Sequence, residues 1–257
     1  MNIAKAAVLG AGTMGAGIAA HLSNAGIPTL LLDIAPTELT PDETAKGLTL
    51  ESPVVRNRIV NSLFEAAKKL RPAPFMLGDN ARLISTGNFT DDMEKLRDCD
   101  LVIEAVVENL EVKHKIFAEV EKNRKAGAVI ASNTSGIPIA SIAEPFSDDF
   151  KKHFLGIHFF NPPRYMKLVE VIPTPWTDGV IACKIFGFLD QRLGKGVVGA
   201  KDRPNFIANR VGTFGMMATV HEMTAMGFRP TEIDQMTGKA IGHVRAVFRK
   251  AARRPIG

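Results

Sequence analysis

Short apolar segments alternate with segments of helical periodicity through the first half of the chain. The apolar segments are Lys5–Leu9, Thr29–Leu32, Arg82–Phe89, Leu101–Val107 and Ala128–Ser132. Between them, Thr13–Ala25 and Glu111–Asn123 place apolar residues three or four positions apart, which is the spacing of one helix face. Alternating strands and helices predict an α/β fold in which helices cover a doubly wound, mostly parallel sheet.

Two further features of this pattern are the apolar face of the second helix and a long interruption before the third strand. In the second helical segment, Val112, Ile116 and Val120 form the predicted apolar face, and Lys113 lies outside it. Residues 36–75 interrupt the alternation with helical spacing and end at Pro72 and Pro74. Because this segment is too long for an ordinary connection, we predict a helical insertion there.

The pattern changes after Ser132. His153–Phe160 and Leu168–Ile172 are apolar, and the residues between them predict an antiparallel pair at the end of the sheet. Beyond residue 200, helical patterns follow at Phe206–Met226 and Thr231–Ala240. We therefore predict a first domain at 1–200 and, at 201–257, the start of an incomplete, all-helical C-terminal domain.

Composition excludes several classes of protein. The 257 residues are 46% apolar and 23% charged, which is typical of a folded globular chain. No stretch approaches about 18 consecutive apolar residues, so we predict no membrane span, and the N-terminus has no secretory signal. Cys99 and Cys183 cannot form a disulfide framework and lack a metal-binding spacing, which favours a reducing, cytoplasmic location.

The net charge of +5 comes from one end of the chain. Five basic residues and no acidic residue follow position 244: Arg245, Arg249, Lys250, Arg253 and Arg254. The rest of the chain has 27 basic and 27 acidic residues, since 32 minus 5 is 27, and it is therefore neutral. Aromatic residues do not alternate with the basic ones, so we predict no nucleic-acid partner.

A glycine-rich turn follows the first predicted strand. Gly10, Ala11, Gly12, Thr13, Met14 and Gly15 form the pattern G-x-G-x-x-G between a strand and a helix. Asp33 ends the next strand, where its carboxylate can accept both ribose hydroxyls and repel a 2′-phosphate. This context predicts a Rossmann-type fold that binds NAD rather than NADP; a structural turn, an FAD site and a methyltransferase site are the alternatives.

His158 and Glu170 form a candidate catalytic pair. If the two antiparallel strands turn about Arg164, opposite residues have numbers that sum to 328, as 158 and 170 do. A carboxylate opposite an imidazole can fix its tautomer and stabilise its protonated form, as a general base requires. The alternative is a core histidine with a nearby surface glutamate. His221-Glu222 begins the zinc motif H-E-x-x-H, but residue 225 is Ala, so no metal site is predicted.

Six segments together resemble the L-3-hydroxyacyl-CoA dehydrogenase family. They are Gly10–Gly15, Glu104–Asn109, Ser132–Ser135, His158–Pro162, Lys167–Glu170 and Lys201–Phe206. The resemblance extends to about Gly242, and Gly26–Asp33 is most similar to bacterial multifunctional β-oxidation proteins. It implies NAD-dependent oxidation of an L-3-hydroxyacyl-CoA to the 3-ketoacyl-CoA in fatty-acid β-oxidation.

The resemblance also implies residue roles. His158 would be the base and Glu170 its orienting partner, Ser135 would hydrogen-bond the substrate's 3-oxygen, and Asn209 would help to polarise that region. The residues implied on the nicotinamide side are Glu108, Lys113 and Asn161. The alternatives are that Ser135 caps a helix at 137–143 and that Asn209 is an ordinary polar helix residue.

Three expectations concern substrate and assembly. Arg56, Arg58, Lys68 and Lys69 on the insertion are candidates for CoA phosphates, with a solvated helix face as the alternative. The sequence departs from the family pattern after Gly242 and ends before the family's remaining C-terminal helices, so we expect a piece of a larger protein, as a homodimer or within a multifunctional chain. A binding module without turnover, and a dehydrogenase for hydroxy acids without CoA, are the other candidate functions.

Overall fold

The computed structural model describes residues 3–237 and is built on one eight-stranded sheet. The strands are β1 (Ala6–Leu9), β2 (Thr29–Asp33), β3 (Ile84–Asn88), β4 (Leu101–Glu104), β5 (Val129–Ser132), β6 (Phe154–Phe159), β7 (Leu168–Pro173) and β8 (Gly196–Gly199). Their order in the sheet is β3-β2-β1-β4-β5-β6-β7-β8. Strands β1 to β6 pair in parallel, β7 is antiparallel to β6, and β8 is parallel to β7. The predicted Rossmann-type, mostly parallel fold is confirmed.

Helices alternate with the strands along the chain, and the last two follow β8. They are α1 (Thr13–Asn24), α2 (Pro41–Ala45), α3 (Pro53–Arg56), α4 (Arg58–Lys68), α5 (Leu110–Asn123), α6 (Ile139–Ala143), α7 (Asp148–His153), α8 (Gly179–Gln191), α9 (Ala208–Met226) and α10 (Pro230–Met236). Single 3₁₀ segments occupy Gly78–Leu83 and Met93–Asp98. Among the described residues, no helix is both long and apolar enough to span a membrane.

The central strands are buried on both faces, which explains their unbroken apolar sequences. Ala6 and Val8 of β1 belong to one apolar cluster, and Ala7 and Leu9 belong to a second. Successive side chains of a strand point to opposite faces of the sheet. Both faces of β1 are therefore covered, as expected in a parallel sheet with crossover helices.

Two expectations from the sequence were wrong in their details. Strand β4 ends at Glu104 rather than Val107, because its pairing with β1 ends where Leu9 lies opposite Glu104. The buried face of α5 includes Lys113 and Phe117, whereas Val112 and Ile116 are only partly buried. Lysine rarely lies on a buried helix face, so the apolar pattern alone assigned Lys113 to the wrong side.

The insertion at 36–75 contains α2, α3 and α4 and joins the edge of the sheet through polar contacts. Asn88 of β3 donates from Nδ2 to Asn57 Oδ1 over 3.0 Å, and Thr86 donates to Asn61 Oδ1 over 2.7 Å. On the apolar side of α4, Val60, Phe64 and Ala67 are buried. The insertion is thus held against the outermost strand, β3, by both kinds of contact.

The chain divides into two compact units between Phe206 and Ile207. The first unit contains the whole sheet. In the second, α9 ends at Met226 and is capped by Gly227, whose φ of 71° is left-handed. The helix predicted at Thr231–Ala240 corresponds to α10, and its last three residues lie outside the described ones, as do the basic residues from Arg245 onwards.

Candidate active site

The carboxyl ends of five parallel strands meet at one edge of the sheet. Gly10 follows β1, and β2, β4 and β5 end at Asp33, Glu104 and Ser132. His158 is the second-last residue of β6. Strand β1 lies between β2 and β4, so the crossovers leave it in opposite directions. Open α/β sheets bind ligands at this kind of position, outside the carboxyl ends of the strands.

The glycine-rich turn places backbone where side chains would not fit. Gly10 has a φ of 100°, and a Cβ added to it would lie 2.7 Å from the Ala105 carbonyl oxygen. A Cβ on Gly15 would overlap the carbonyl oxygen of Gly10, so this residue lets α1 approach the turn. In contrast, a Cβ on Gly12 would meet no atom within 4 Å. The space beside Gly12 is therefore open to a ligand rather than filled by protein.

Asp33 links the end of β2 to this turn. Its Oδ2 accepts a hydrogen bond from the Ala11 backbone N–H over 2.6 Å, and its Oδ1 accepts one from Ile34 N–H over 2.7 Å. The residue is partly exposed, and a carboxylate has about four acceptor positions. The Asp33 carboxylate can therefore still accept hydrogen bonds from ribose hydroxyls.

These features fit a dinucleotide. Helix α1 begins at Thr13 with no side-chain cap at Gly12 and no acidic residue in its first turn, so its N–H groups and dipole can attract a pyrophosphate. The open space at Gly12 and the partly exposed Asp33 carboxylate suit the pyrophosphate and the ribose. The described residues hold no group of three or more metal-ligating side chains.

His158 and Glu170 are directly opposite each other on β6 and β7, as the register arithmetic predicts. His158 Nδ1 lies 2.8 Å from Glu170 Oε2. Both residues are buried, with 5% and 0% of their surfaces exposed. When Nδ1–H donates to the carboxylate, Nε2 has the free electron pair that can accept a proton.

Ser135 lies in a turn that Glu108 holds. Glu108 Oε1 accepts hydrogen bonds from Thr134 Oγ1 over 2.5 Å, Ser135 N–H over 3.0 Å and Gly136 N–H over 2.9 Å. Burial acts to raise the pKa of Glu108, but the Thr134 hydroxyl, the Lys113 ammonium and the backbone donors together lower that pKa below its usual range. Glu108 is therefore a carboxylate that fixes the backbone of the turn, while Ser135 is exposed.

A buried ion pair lies next to Glu108. Lys113 Nζ is 2.6 Å from Glu104 Oε1 and 3.5 Å from Glu108 Oε2. Glu104 also accepts hydrogen bonds from Ser132 Oγ over 2.6 Å and Val106 N–H over 2.7 Å. The Lys113 side chain is 1% exposed, and its ammonium group lies between two carboxylates at this edge of the sheet. Sequence reasoning gave Glu104 no role, although an acidic residue at the end of a buried strand was a usable signal.

The two asparagines predicted for the site, Asn161 and Asn209, lie after β6 and in α9. Asn161, exposed, is the second residue after β6. Asn133, which was not predicted, accepts a hydrogen bond on Oδ1 from Phe159 N–H over 2.9 Å and so links the ends of β5 and β6. Asn209 lies in α9, in the second unit.

The basic residues proposed for CoA phosphates are largely paired with carboxylates. Arg56 donates to both oxygens of Asp91, over 2.5 and 2.7 Å. Arg58 contacts Glu43, and Lys68 lies 2.5 Å from Glu65. Arg56 and Arg58 have partly buried side chains. These pairings favour the alternative interpretation for both arginines, since a phosphate would have to displace an existing partner.

Comparisons with known proteins agree with this geometry. Residues 5–203 match the family model described as "3-hydroxyacyl-CoA dehydrogenase, NAD binding domain". A Bacillus subtilis protein named "Probable 3-hydroxyacyl-CoA dehydrogenase" is 54% identical over 96% of this chain, which covers only 32% of that protein. A Deinococcus radiodurans protein of the same name is 48% identical over 98% of this chain and is 69% covered.

A solved structure agrees as well. The crystal structure of (S)-3-hydroxybutyryl-CoA dehydrogenase from Ralstonia eutropha superposes with a TM-score of 0.71 and 27% identity, covering 96% of this chain and 80% of that one. The matched family model is that of an NAD-binding domain. NAD is therefore the cofactor of this domain.

Proposed function

The chain belongs to the 3-hydroxyacyl-CoA dehydrogenase family, and we propose that it oxidises L-3-hydroxyacyl-CoA thioesters to 3-ketoacyl-CoA thioesters in fatty-acid β-oxidation. The observation that supports this most is the buried His158–Glu170 pair, which lies at the same edge of the sheet as the glycine-rich turn. A nucleotide-binding module without chemistry needs no imidazole fixed by a buried carboxylate at this edge.

In this proposal, NAD bound at the glycine-rich turn would supply the acceptor for the hydride of the substrate's C3. The 3-hydroxyl proton must depart as the carbonyl forms, and His158 Nε2 accepts it. Glu170 keeps Nδ1 protonated through the 2.8 Å hydrogen bond and stabilises the positive charge that the ring acquires. A general base in such a position contributes about 10²–10⁴-fold to the rate.

The turn at Ser135 would act on the same oxygen. We propose that the Ser135 hydroxyl donates a hydrogen bond to the substrate's 3-oxygen, because Glu108 fixes its backbone while its side chain stays exposed. A preorganised donor at an oxygen that gains charge contributes about 10²–10³-fold. Asn209 would assist at this oxygen, and Glu108 and Asn161 would form the nicotinamide side, with the buried Lys113 holding Glu108 there.

The cofactor's other half would bind to the glycine-rich turn. The backbone at Gly10, Gly12 and Gly15 and the N–H groups of Thr13 and Met14 would hold the pyrophosphate, and Asp33, which the Ala11 N–H orients, would bind the adenosine ribose. We assign this role to a first domain at 1–200 and substrate binding and assembly to 201–257. A place within a larger multifunctional protein is supported by a Rickettsia felis relative named "Putative fatty acid oxidation complex trifunctional enzyme", which is 41% identical over 83% of this chain and is 28% covered. Its exposed Cys183 suits a cytoplasmic location.

The His158→Ala variant tests the proposal directly. Acetoacetyl-CoA-dependent loss of NADH absorbance should fall by about 10²–10⁴-fold, since the base is removed. NADH affinity, measured by fluorescence titration, should stay within a factor of about two. His153→Ala is the matched control, because His153 ends α7 and contacts Asp149 away from the pair.

Other results would select the other candidate functions. Near-wild-type turnover in His158→Ala would remove the base assignment. NADH binding with no turnover in the parent chain would select a binding module, and turnover restored by a chain extended with the family's C-terminal helices would return it to the proposed class. Equal rates with acetoacetyl-CoA and free acetoacetate would select a hydroxy-acid dehydrogenase that does not need CoA.

A further inference from the structure

Two phenyl rings pack against the imidazole of His158. Phe160 is close in sequence, and its ring centroid lies 4.4 Å from that of His158. Phe206 is 48 residues further along the chain than His158, yet its ring centroid lies 5.6 Å from the imidazole at an interplanar angle of 58°. Phe206 is 4% exposed. The proposed base therefore has an apolar neighbour contributed by a distant segment.

The backbone that places Phe206 is unusual. Asn205 and Phe206 have φ values of 62° and 47°. Among the described residues, every other positive φ belongs to a glycine. Side chains with a Cβ rarely adopt this left-handed conformation, and a bulky aromatic residue does so least readily. Such conformations persist where surrounding contacts impose them, and they occur often at functional sites.

The contacts that impose this conformation are visible on either side of Asn205. Asp202 accepts hydrogen bonds from the backbone N–H groups of Ile139 and Ala140, over 2.9 and 2.8 Å, in the first turn of α6. The Phe206 N–H donates to the Arg203 carbonyl over 2.9 Å. The segment 202–206 is thus fixed to the helix that follows the Ser135 turn at one end and to His158 at the other.

We propose that Phe206 is a positioning residue for the base: its ring excludes water from His158 and holds the imidazole in the orientation that proton transfer requires. This inference rests on the proposed function, because it assumes that His158 is the base. A dry environment strengthens the His158–Glu170 hydrogen bond, and small errors in the orientation of a reacting group lower the rate steeply. The left-handed backbone at Asn205 and Phe206 is retained because it delivers this ring.

Three variants test the role of Phe206. Phe206→Ala should lower kcat by about ten- to a hundredfold with NADH affinity within about twofold, and Phe206→Leu, which restores apolar volume, should recover most of the loss. Asn205→Gly is the matched control. Glycine adopts positive φ without strain, so this variant should keep kcat within about twofold and melt at the same or a higher temperature.

A kinetic isotope effect separates positioning from loss of folded protein. With NADH deuterated at the transferred hydrogen, Phe206→Ala should give a larger isotope effect on kcat than the parent chain, because its chemical step has become slower. A smaller folded fraction lowers kcat without changing that ratio. The inference is overturned if Phe206→Ala keeps kcat within twofold or loses activity with an unchanged isotope effect. Full turnover in His158→Ala would instead remove the base assignment on which this inference rests.

Discussion

The two halves of the candidate site lie at the same edge of one sheet, but different chemical groups form them. On the nucleotide side, β1, α1 and β2 present glycines and backbone N–H groups, with Asp33 as the carboxylate. On the catalytic side, β4, the loop that follows it and β7 present the carboxylates Glu104, Glu108 and Glu170, each bonded to a neighbouring side chain. The nucleotide half depends on glycines that leave space for a ligand, and the catalytic half depends on charged side chains that are paired with each other.

This difference has energetic consequences. A backbone site loses affinity when a side chain fills its space, but its fold can remain intact. A buried charge that loses its partner destabilises the fold, because the remaining charge stays out of water without compensation. We therefore expect substitutions in the nucleotide half to change binding first and substitutions in the catalytic half to change stability and turnover together.

The Glu104→Ala variant should produce the largest stability effect. It leaves the Lys113 ammonium, 1% exposed, with Glu108 as its remaining carboxylate at 3.5 Å. Breaking a buried ion pair costs about 3–5 kcal/mol, so the free energy of unfolding in urea should fall by that amount. Its Ser132 and Val106 donors also lose their acceptor.

Glu94→Ala is the control for this prediction. Glu94 pairs with Arg97 over 3.4 Å, but both side chains are more than 60% exposed, so its removal should change stability by less than about 1 kcal/mol. If Glu104→Ala were as stable as Glu94→Ala, the buried Glu104–Lys113 pair would not stabilise the catalytic half of the fold.

The nucleotide half could be predicted from sequence because its determinants are local. Gly10, Gly12 and Gly15 lie within six residues, and their spacing sets the turn, the open space and the approach of α1. Asp33 could be placed because one helix and one short strand separate it from the turn along the chain. The boundary of β4 was less accessible, since it depends on where β1 ends opposite it.

The catalytic half was only partly predictable. His158 and Glu170 could be paired because a single hairpin fixes their register. The burial of Lys113 could not be predicted, because it depends on the ion pair with Glu104 and on the packing of α5 against the sheet. No local sequence pattern indicates either contact. The approach of Phe206 to His158 depends on two residues in a rare backbone conformation, which helical periodicity did not anticipate.

The Asp33→Ser variant should change cofactor choice by about two orders of magnitude. In the parent chain, a 2′-phosphate about 4 Å from the carboxylate would cost roughly 4 kcal/mol per charge pair at an effective dielectric constant of 20, before screening. Serine removes the repulsion and one ribose acceptor, so NAD should bind more weakly and NADP more tightly. The ratio of kcat/KM for NADH and NADPH measures this. An unchanged ratio, or a parent chain that uses both cofactors equally, would show that Asp33 does not contact the ribose.

The Gly12→Ala variant should weaken NADH binding by about tenfold or more while leaving the melting temperature unchanged. Its φ of −58° suits alanine, and the added Cβ meets no protein atom within 4 Å, so the methyl group would occupy ligand space. Gly78→Ala is the control, since a Cβ there also meets nothing within 4 Å but lies away from this edge. Equal NADH affinity in both variants would contradict the placement of the pyrophosphate at Gly12.

The smallest expected effect concerns acid stability of the cofactor helix, where His21 is the buried titratable side chain of α1. Burial, together with the charges of Lys195 and Arg164, lowers the pKa of His21 to about 4, although its Leu193 hydrogen bond opposes this. Its ordinary pKa is 6.5, so the unfolded chain binds the proton first as pH falls. The free energy of unfolding should therefore decrease by about 1 kcal/mol between pH of about 7.5 and about 5.5. His21→Gln should remove this part of the pH dependence in urea titrations; an unchanged slope would mean that the folded and unfolded chains bind the His21 proton equally well.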